Sequence, residues 1–171
     1  MNKIVVPTWD DYFMTMVYLV AAKSKDKRTH VGAVVVGPKN EVRSMGYNSF
    51  PRGLNDNVPE RQEKPEKYFF FAHAEDNAIN NAAFIGVSLR DCRMYTNGVP
   101  CSNCARGIIN TGITKVIVDY SWDKENLKKW VEECKRSLQM FKECGVGIKY
   151  WRGSYTEPVK YQHKKVIPLF K

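Results

Sequence analysis

His73 and Glu75 stand two residues apart, Cys101 and Cys104 stand three apart behind Pro100, and these four side chains are enough to specify a chemistry. Two thiolates and one imidazole are a preferred donor set for zinc. Three protein ligands leave a fourth tetrahedral position for water, the feature that separates a catalytic zinc from a structural one. Water on such an ion has a pKa near about 7, so a nucleophile is available at neutral pH. Glu75, next but one to a ligand, is spaced to stand beside the metal without binding it. From there it can take the water's proton, pass it to a ring nitrogen and later protonate a leaving amine. Hydrolytic deamination uses all of these parts: attack at C4 of a cytosine ring gives a tetrahedral carbon that collapses to uracil and ammonia.

Both motifs open a helix. Ala74, Ala78, Ile79, Ala82 and Ala83 give residues 73–85 a small-residue face, and Gly86 is placed to end that helix. Residues 100–110 form the next, with proline in its first turn and Cys101 and Cys104 on one face. Free N–H groups and the positive dipole end at both starts lower the thiol pKa values. Upstream, Thr8 caps a helix over 8–24, with Phe13, Met16, Val17 and Val20 at helical spacing. Strands at 31–36 and 41–47 make a hairpin around Gly37-Pro38-Lys39-Asn40. Residues 48–71 carry four punctuating residues, Pro51, Gly53, Pro59 and Pro65, and read as a long loop. Its end, Tyr68-Phe69-Phe70-Phe71, reads as a buried strand or core segment, with a subunit contact as the minor reading.

Downstream, strands are expected at 92–97, 114–119 and 146–151. A charged helix over 124–142 has Glu125/Lys129 and Glu132/Arg136 pairs and a buried stripe of Leu127, Val131, Cys134, Leu138 and Phe141. Helices interleaved with short strands predict an α/β fold, a three-layer α/β/α sandwich around one five-stranded mixed sheet. A chain of 171 residues suits one domain, residues 1–151, followed by a basic tail, 152–171, that holds five Lys or Arg against one Glu. That tail supplies much of the formal charge of +9, and the remainder suits a handler of phosphorylated small molecules as well as a polymer binder. The apolar runs are too short to span a bilayer and the first seven residues lack a signal peptide's form, so the expected location is cytoplasmic, without a membrane partner. Five cysteines is an odd count for a disulfide framework. Cys92, Cys134 and Cys144 read as packing residues.

The paired H-x-E and P-C-x-x-C motifs are the signature of zinc nucleobase deaminases. Ser24-Lys25-Asp26, Val31-Gly32-Ala33, Gly46-Tyr47-Asn48, Pro51-Arg52-Gly53, the stretch His73 to Ile79 and Pro100 to Ala105 extend the match, and over residues 9–151 the sequence resembles deoxycytidylate deaminases. The resemblance implies the cytidine deaminase-like fold, conversion of dCMP to dUMP for thymidylate supply, and one zinc ion per chain on His73, Cys101 and Cys104, with Glu75 catalytic. It implies substrate contacts at Asn48, Ala74, Ser24, Lys25 and Arg28, effector contacts for dCTP as activator and dTTP as inhibitor at Arg52 and Asp56, and assembly as a homo-hexamer. Tyr120, directly after a predicted strand, reads as a pocket residue stacking near the base, with an ordinary strand-end aromatic as the alternative. Ser49 departs from the family's glycine. With His30 and His163 the only other histidines, no second zinc site is expected.

Other readings stay open at this stage. One is a different substrate for the same machinery: dCTP, a free nucleoside such as cytidine, or an adenosine in transfer RNA. The other is a closed structural zinc in a non-catalytic nucleic-acid-binding module, although the mononucleotide reading calls for no nucleic acid.

Overall fold

Val31 to Val36 has no charged position, as befits a strand covered on both faces. In the computed structural model, which describes residues 6–157, 159–162 and 165–168, strand β1 (Gly32–Val36) is buried along its whole length. Its alternate side chains enter two different cores. Ala33 and Val35 pack with Ala74, Ala78 and Ala82 of α3 (Ala74–Ile85), and Val34 and Val36 pack with Phe13, Met14 and Val17 of α1 (Trp9–Ala21).

The same division runs across the sheet. Met94 of β3 (Arg93–Thr96) and Val116 and Val118 of β4 (Lys115–Asp119) join the first core with Ile108 of α4 (Ser102–Asn110) and Phe141 of α5 (Tyr120–Glu143). Tyr95, Ile117 and Trp151 join the second. Thus α1 covers one face and α3, α4 and α5 the other, which is the expected three-layer sandwich.

Strand order is β2-β1-β3-β4-β5, with β2 (Val42–Tyr47) and β5 (Gly147–Trp151) at the edges. β1 runs antiparallel to both β2 and β3, while β3, β4 and β5 are parallel. It follows that β2, β3, β4 and β5 all point the same way. Their carboxyl ends, at Asn48, Asn97, Asp119 and Arg152, meet at one edge of the sheet, together with the start of β1. Open α/β sheets place their ligands at such an edge.

The structure departs from the sequence reading at α5 and at residues 68–71. α5 starts at Tyr120 rather than Lys124, because Asp119 caps it by accepting from the Ser121 N–H at 2.8 Å. Tyr68 to Phe71 is neither strand nor core: it forms the short helix α2 (Lys67–Phe70), with Tyr68 51% and Phe69 79% exposed. Arg61, Lys64 and Lys67 lie over Phe70, Tyr68 and Phe71 at 4.7, 5.3 and 5.5 Å, and Phe71 packs on Phe50 with ring centroids 4.2 Å apart, while Phe69 stays exposed. On α5, Cys134 and Phe141 are buried and Leu138 partly so, but Val131 is 38% exposed. Glu132 pairs with Lys135 rather than Arg136. The side chains of Glu125, Leu127 and Lys129 lie outside the described residues. Cys92 packs as expected, whereas Cys144 is exposed at the end of α5.

Finally, the tail holds two short strands, β6 (Val159–Gln162) and β7 (Lys165–Pro168), paired antiparallel. Its first residues return to the body, where the Thr156 N–H donates to Thr15 Oγ1 at 2.8 Å and the Tyr155 hydroxyl bonds Asp119. No helix among the described residues is long and apolar enough to cross a membrane.

Candidate metal centre and its surroundings

The start of α3 is held close against β2. A Cβ at Gly46 would collide with the α3 backbone at Ala74 and Ala78, so glycine permits the approach. Polar bonds then lock it. Ser44 Oγ donates to the Ala78 carbonyl at 2.6 Å, Asn77 Nδ2 to the Tyr47 carbonyl at 2.8 Å and Asn81 Nδ2 to the Met45 carbonyl at 2.6 Å. Asn77 and Asn81 are i, i+4 on one helix face, a spacing visible in the sequence but silent about what it would meet.

His73 and Cys101 occupy the N-cap positions of α3 and α4 in extended backbone geometry. Their ligand atoms and that of Cys104 all lie within 4.8 Å of one another. This arrangement can be tested against zinc. With Zn–N near 2.0 Å and Zn–S near 2.3 Å, a tetrahedral angle separates nitrogen from sulfur by about 3.5 Å. His73 Nδ1 stands 3.4 Å from Cys101 Sγ and 3.5 Å from Cys104 Sγ, so the donor set fits one zinc ion. Among the described residues no other group of three such side chains forms.

Glu75 is 6% exposed, and its Oε2 lies 3.8 Å from Cys104 Sγ. Burial pushes its carboxyl above the usual range, against the pull of nearby His73. The hydrogen bond between the thiols splits them: with help from His73 it holds Cys101 down to about 4, and together with burial it pushes Cys104 up. Cys101 in turn raises the imidazole of His73 to about 9. A cation entering the cluster therefore displaces protons, which makes metal uptake pH-dependent.

The other sequence-predicted residues fall into three groups. Asn48, 8% exposed, knots the loop between α1 and β1. Its Oδ1 accepts from Ser24 Oγ at 2.7 Å and the Val31 N–H at 2.8 Å, and its Nδ2 donates to the Thr29 carbonyl at 2.9 Å and to Asp26 at 3.2 Å. Asp26, which the sequence reading did not single out, is 4% exposed and also pairs with Lys67 at 2.6 Å. Ser24 is thus spent on this knot, while Arg28, more than half exposed, pairs with Glu63. Asn48→Ala would leave several of these groups unpaired. The expected loss is about 1–3 kcal/mol of stability, read from urea unfolding, with a rise in KM as the loop loosens; unchanged stability would contradict the knot.

Lys25, Arg52 and Asp56 form the second group, lining one cavity of about 400 Å³ with Asn80 and Asn81 of α3. Lys25 pairs there with Asp56, and Arg52 bonds Asn81, so the structure joins Lys25 to the residues read as effector contacts. Tyr120 belongs to the third. It lines a cavity of about 240 Å³ with Trp151, Arg152 and Tyr155 at the carboxyl ends of β4 and β5, and the Arg152 guanidinium lies over its ring at 3.2 Å. Below it, Asp119 accepts from Tyr18 at 2.7 Å. Burial opposes the Asp119 charge, but bonds from Ser121, Tyr155 and Tyr18 outweigh it and hold the carboxyl below its ordinary range. Ala74 is fully buried in the first turn of α3, beside His73.

Comparison with known proteins bears on this centre. Residues 7–120 match the family described as the cytidine and deoxycytidylate deaminase zinc-binding region. A probable deoxycytidylate deaminase of Drosophila melanogaster is 39% identical over 154 residues, covering 84% of this chain and 71% of its own. The deoxycytidylate deaminase of Mus musculus is 34% identical over 156 residues, covering 88% and 84%. In fold, the chain resembles the crystal structure of dCMP deaminase from cyanophage S-TIM5 in complex with dCMP and dUMP, with a TM-score of 0.67 and 22% identity over 86% of this chain and 100% of that one.

Proposed function

Since the chain belongs to the cytidine and deoxycytidylate deaminase family, we propose that it hydrolyses dCMP to dUMP and ammonia, with Glu75 as the proton carrier. The observation that carries the reading is a buried carboxylate 3.8 Å from a thiol of a His-Cys-Cys cluster whose spacing fits zinc. His73, Cys101 and Cys104 hold the metal. When bound, zinc supplies a water activated for attack at neutral pH. Glu75, its proton affinity raised by burial, accepts a proton, donates it to ring N3 and returns one to the departing amine. The net change is one water consumed, the C4–N bond broken and a C4 oxygen gained.

Substrate choice is supported by the relatives named deoxycytidylate deaminase, and in this reading Tyr120, directly after β4, flanks the base. Binding of dCTP and dTTP at the Lys25, Arg52 and Asp56 cavity is part of the same proposal, supported by its mixture of basic and amide groups. So is a homo-hexamer, supported by the exposed Phe69, Phe84 and Ile85. Residues 1–151 constitute the deaminase domain in this reading, and 152–171 its basic tail.

The test is ammonia release and ultraviolet change with dCMP, CMP, dCTP, deoxycytidine and a transfer RNA substrate, each with and without dCTP and dTTP. We expect dCMP to exceed deoxycytidine in kcat/KM by roughly 100-fold or more, because a site built to bond a phosphate rejects an analogue that lacks it. Preference for the nucleoside or for the RNA would overturn the substrate assignment. Rates indifferent to both triphosphates would remove the effector site.

A further inference from the structure

The loop from Asn97 to Cys101 delivers a metal ligand, and helix α5 holds that loop from below. A side chain at Gly98 would run into the Trp122 ring, so glycine lets the loop lie against the helix. The Val99 N–H donates to Asp123 Oδ1 at 3.0 Å, and the Val99 carbonyl accepts from the Cys134 thiol at 3.9 Å. Pro100 has no N–H to offer. Past Cys101, Glu133 Oε2 accepts from the Ser102 hydroxyl at 2.5 Å and from the Ser102 N–H at 3.4 Å, a donor at the start of α4 where helix geometry supplies no backbone acceptor. Asp123 and Cys134 are three helical turns apart and so share one face of α5. Cys101 is bracketed on both sides.

Asp123 is 3% exposed, and its Oδ2 has no hydrogen-bond partner among the described residues. A half-satisfied buried carboxylate costs stability, a cost that a position serving packing alone avoids with an apolar residue. Glu133, by contrast, reaches Ser102 from a partly exposed position, so its removal need not disturb the core.

We propose that Asp123 and Glu133 of α5 are positioning residues for the metal: they clamp residues 99–102, fix the direction of Cys101 and thereby slow the ion's escape. The inference rests on the zinc reading above. Groups that orient ligands without touching the metal affect metal affinity by about 10–100-fold.

The experiment is release of zinc from the full-length protein to a chromogenic chelator, together with the ligand-field spectrum of the cobalt(II)-substituted protein. Variants are Glu133→Ala, Glu133→Gln, Ser102→Ala, the Glu133→Ala/Ser102→Ala double variant, Asp123→Ala and Asp123→Asn. We expect Glu133→Ala and Ser102→Ala each to release zinc about 10-fold faster with a shifted cobalt band, and the double variant to be no worse than either. Glu133→Gln and Asp123→Asn, which keep an acceptor oxygen, should restore most of the wild-type rate. Because Asp123→Ala can fail to fold, the partly exposed Glu133 and Ser102 decide. Wild-type release and spectra in Glu133→Ala would overturn the clamp, as would a Gln variant no better than Ala. If the wild-type protein itself binds no zinc, the clamp and the zinc reading fall together, whereas a zinc-loaded wild type with indifferent variants removes the clamp alone.

Discussion

Glu75→Gln is expected to lower turnover of dCMP by roughly 10³-fold while leaving zinc bound and the fold intact. General acid and base groups contribute about 10²–10⁴-fold, and Glu75 serves on both legs of the reaction, so a large part of that range is lost at once. Glutamine keeps the volume and one acceptor oxygen in a site that is 6% exposed, so packing changes little. Steady-state kinetics with metal analysis check this. A variant that keeps its activity would place the base elsewhere. One that loses zinc would make Glu75 a ligand, although its carboxylate lies outside the set of donor atoms that are within 4.8 Å of one another.

Cys104→Ala carries the second large effect. Cys104 is fully buried and its sulfur stands 3.5 Å from His73 Nδ1, so its loss removes one of the three donors of the cluster. Zinc content should fall from one ion per chain to near none, with activity falling by more than about 10³-fold, since structural and catalytic zinc affinities depend on each thiolate and its protonation. Zinc measured by mass spectrometry under native conditions, with activity on the same samples, provides the check. Full occupancy in this variant would refute the ligand set. Loss of metal with full activity would separate zinc from catalysis. Cys144→Ala, an exposed thiol at the end of α5, serves as the control and should change neither.

The clearest parts of the sequence were those where cause and effect lie within a few residues. His73 and Glu75 are two apart and Cys101 and Cys104 three apart, and capping, proline and alanine place each pair at a helix start; the donor set and the chemistry follow from residue type. The β-branched run from Val31 to Val36 likewise marked β1 as a strand, and helices interleaved with short strands pointed to the layered architecture. Tyr68 to Phe71 misled because apolar content alone does not fix burial: cations at positions 61, 64 and 67 lie over three of the four rings, and Phe69 is left exposed.

What residue types and short spacings determined on their own is a zinc-type donor set with an acid beside it on an α/β chain. Tertiary structure alone decided that Asn48 is consumed by Ser24, Asp26, Thr29 and Val31, that Lys25 shares a cavity with Arg52 and Asp56, and that α5 reaches back from Asp123 and Glu133 to grip the loop before α4. The physical reason is range. A helix cap or a strand's alternation is written in adjacent residues, but a hydrogen bond between residues 24 or 31 positions apart depends on how the sheet orders its strands, and no local pattern carries that order.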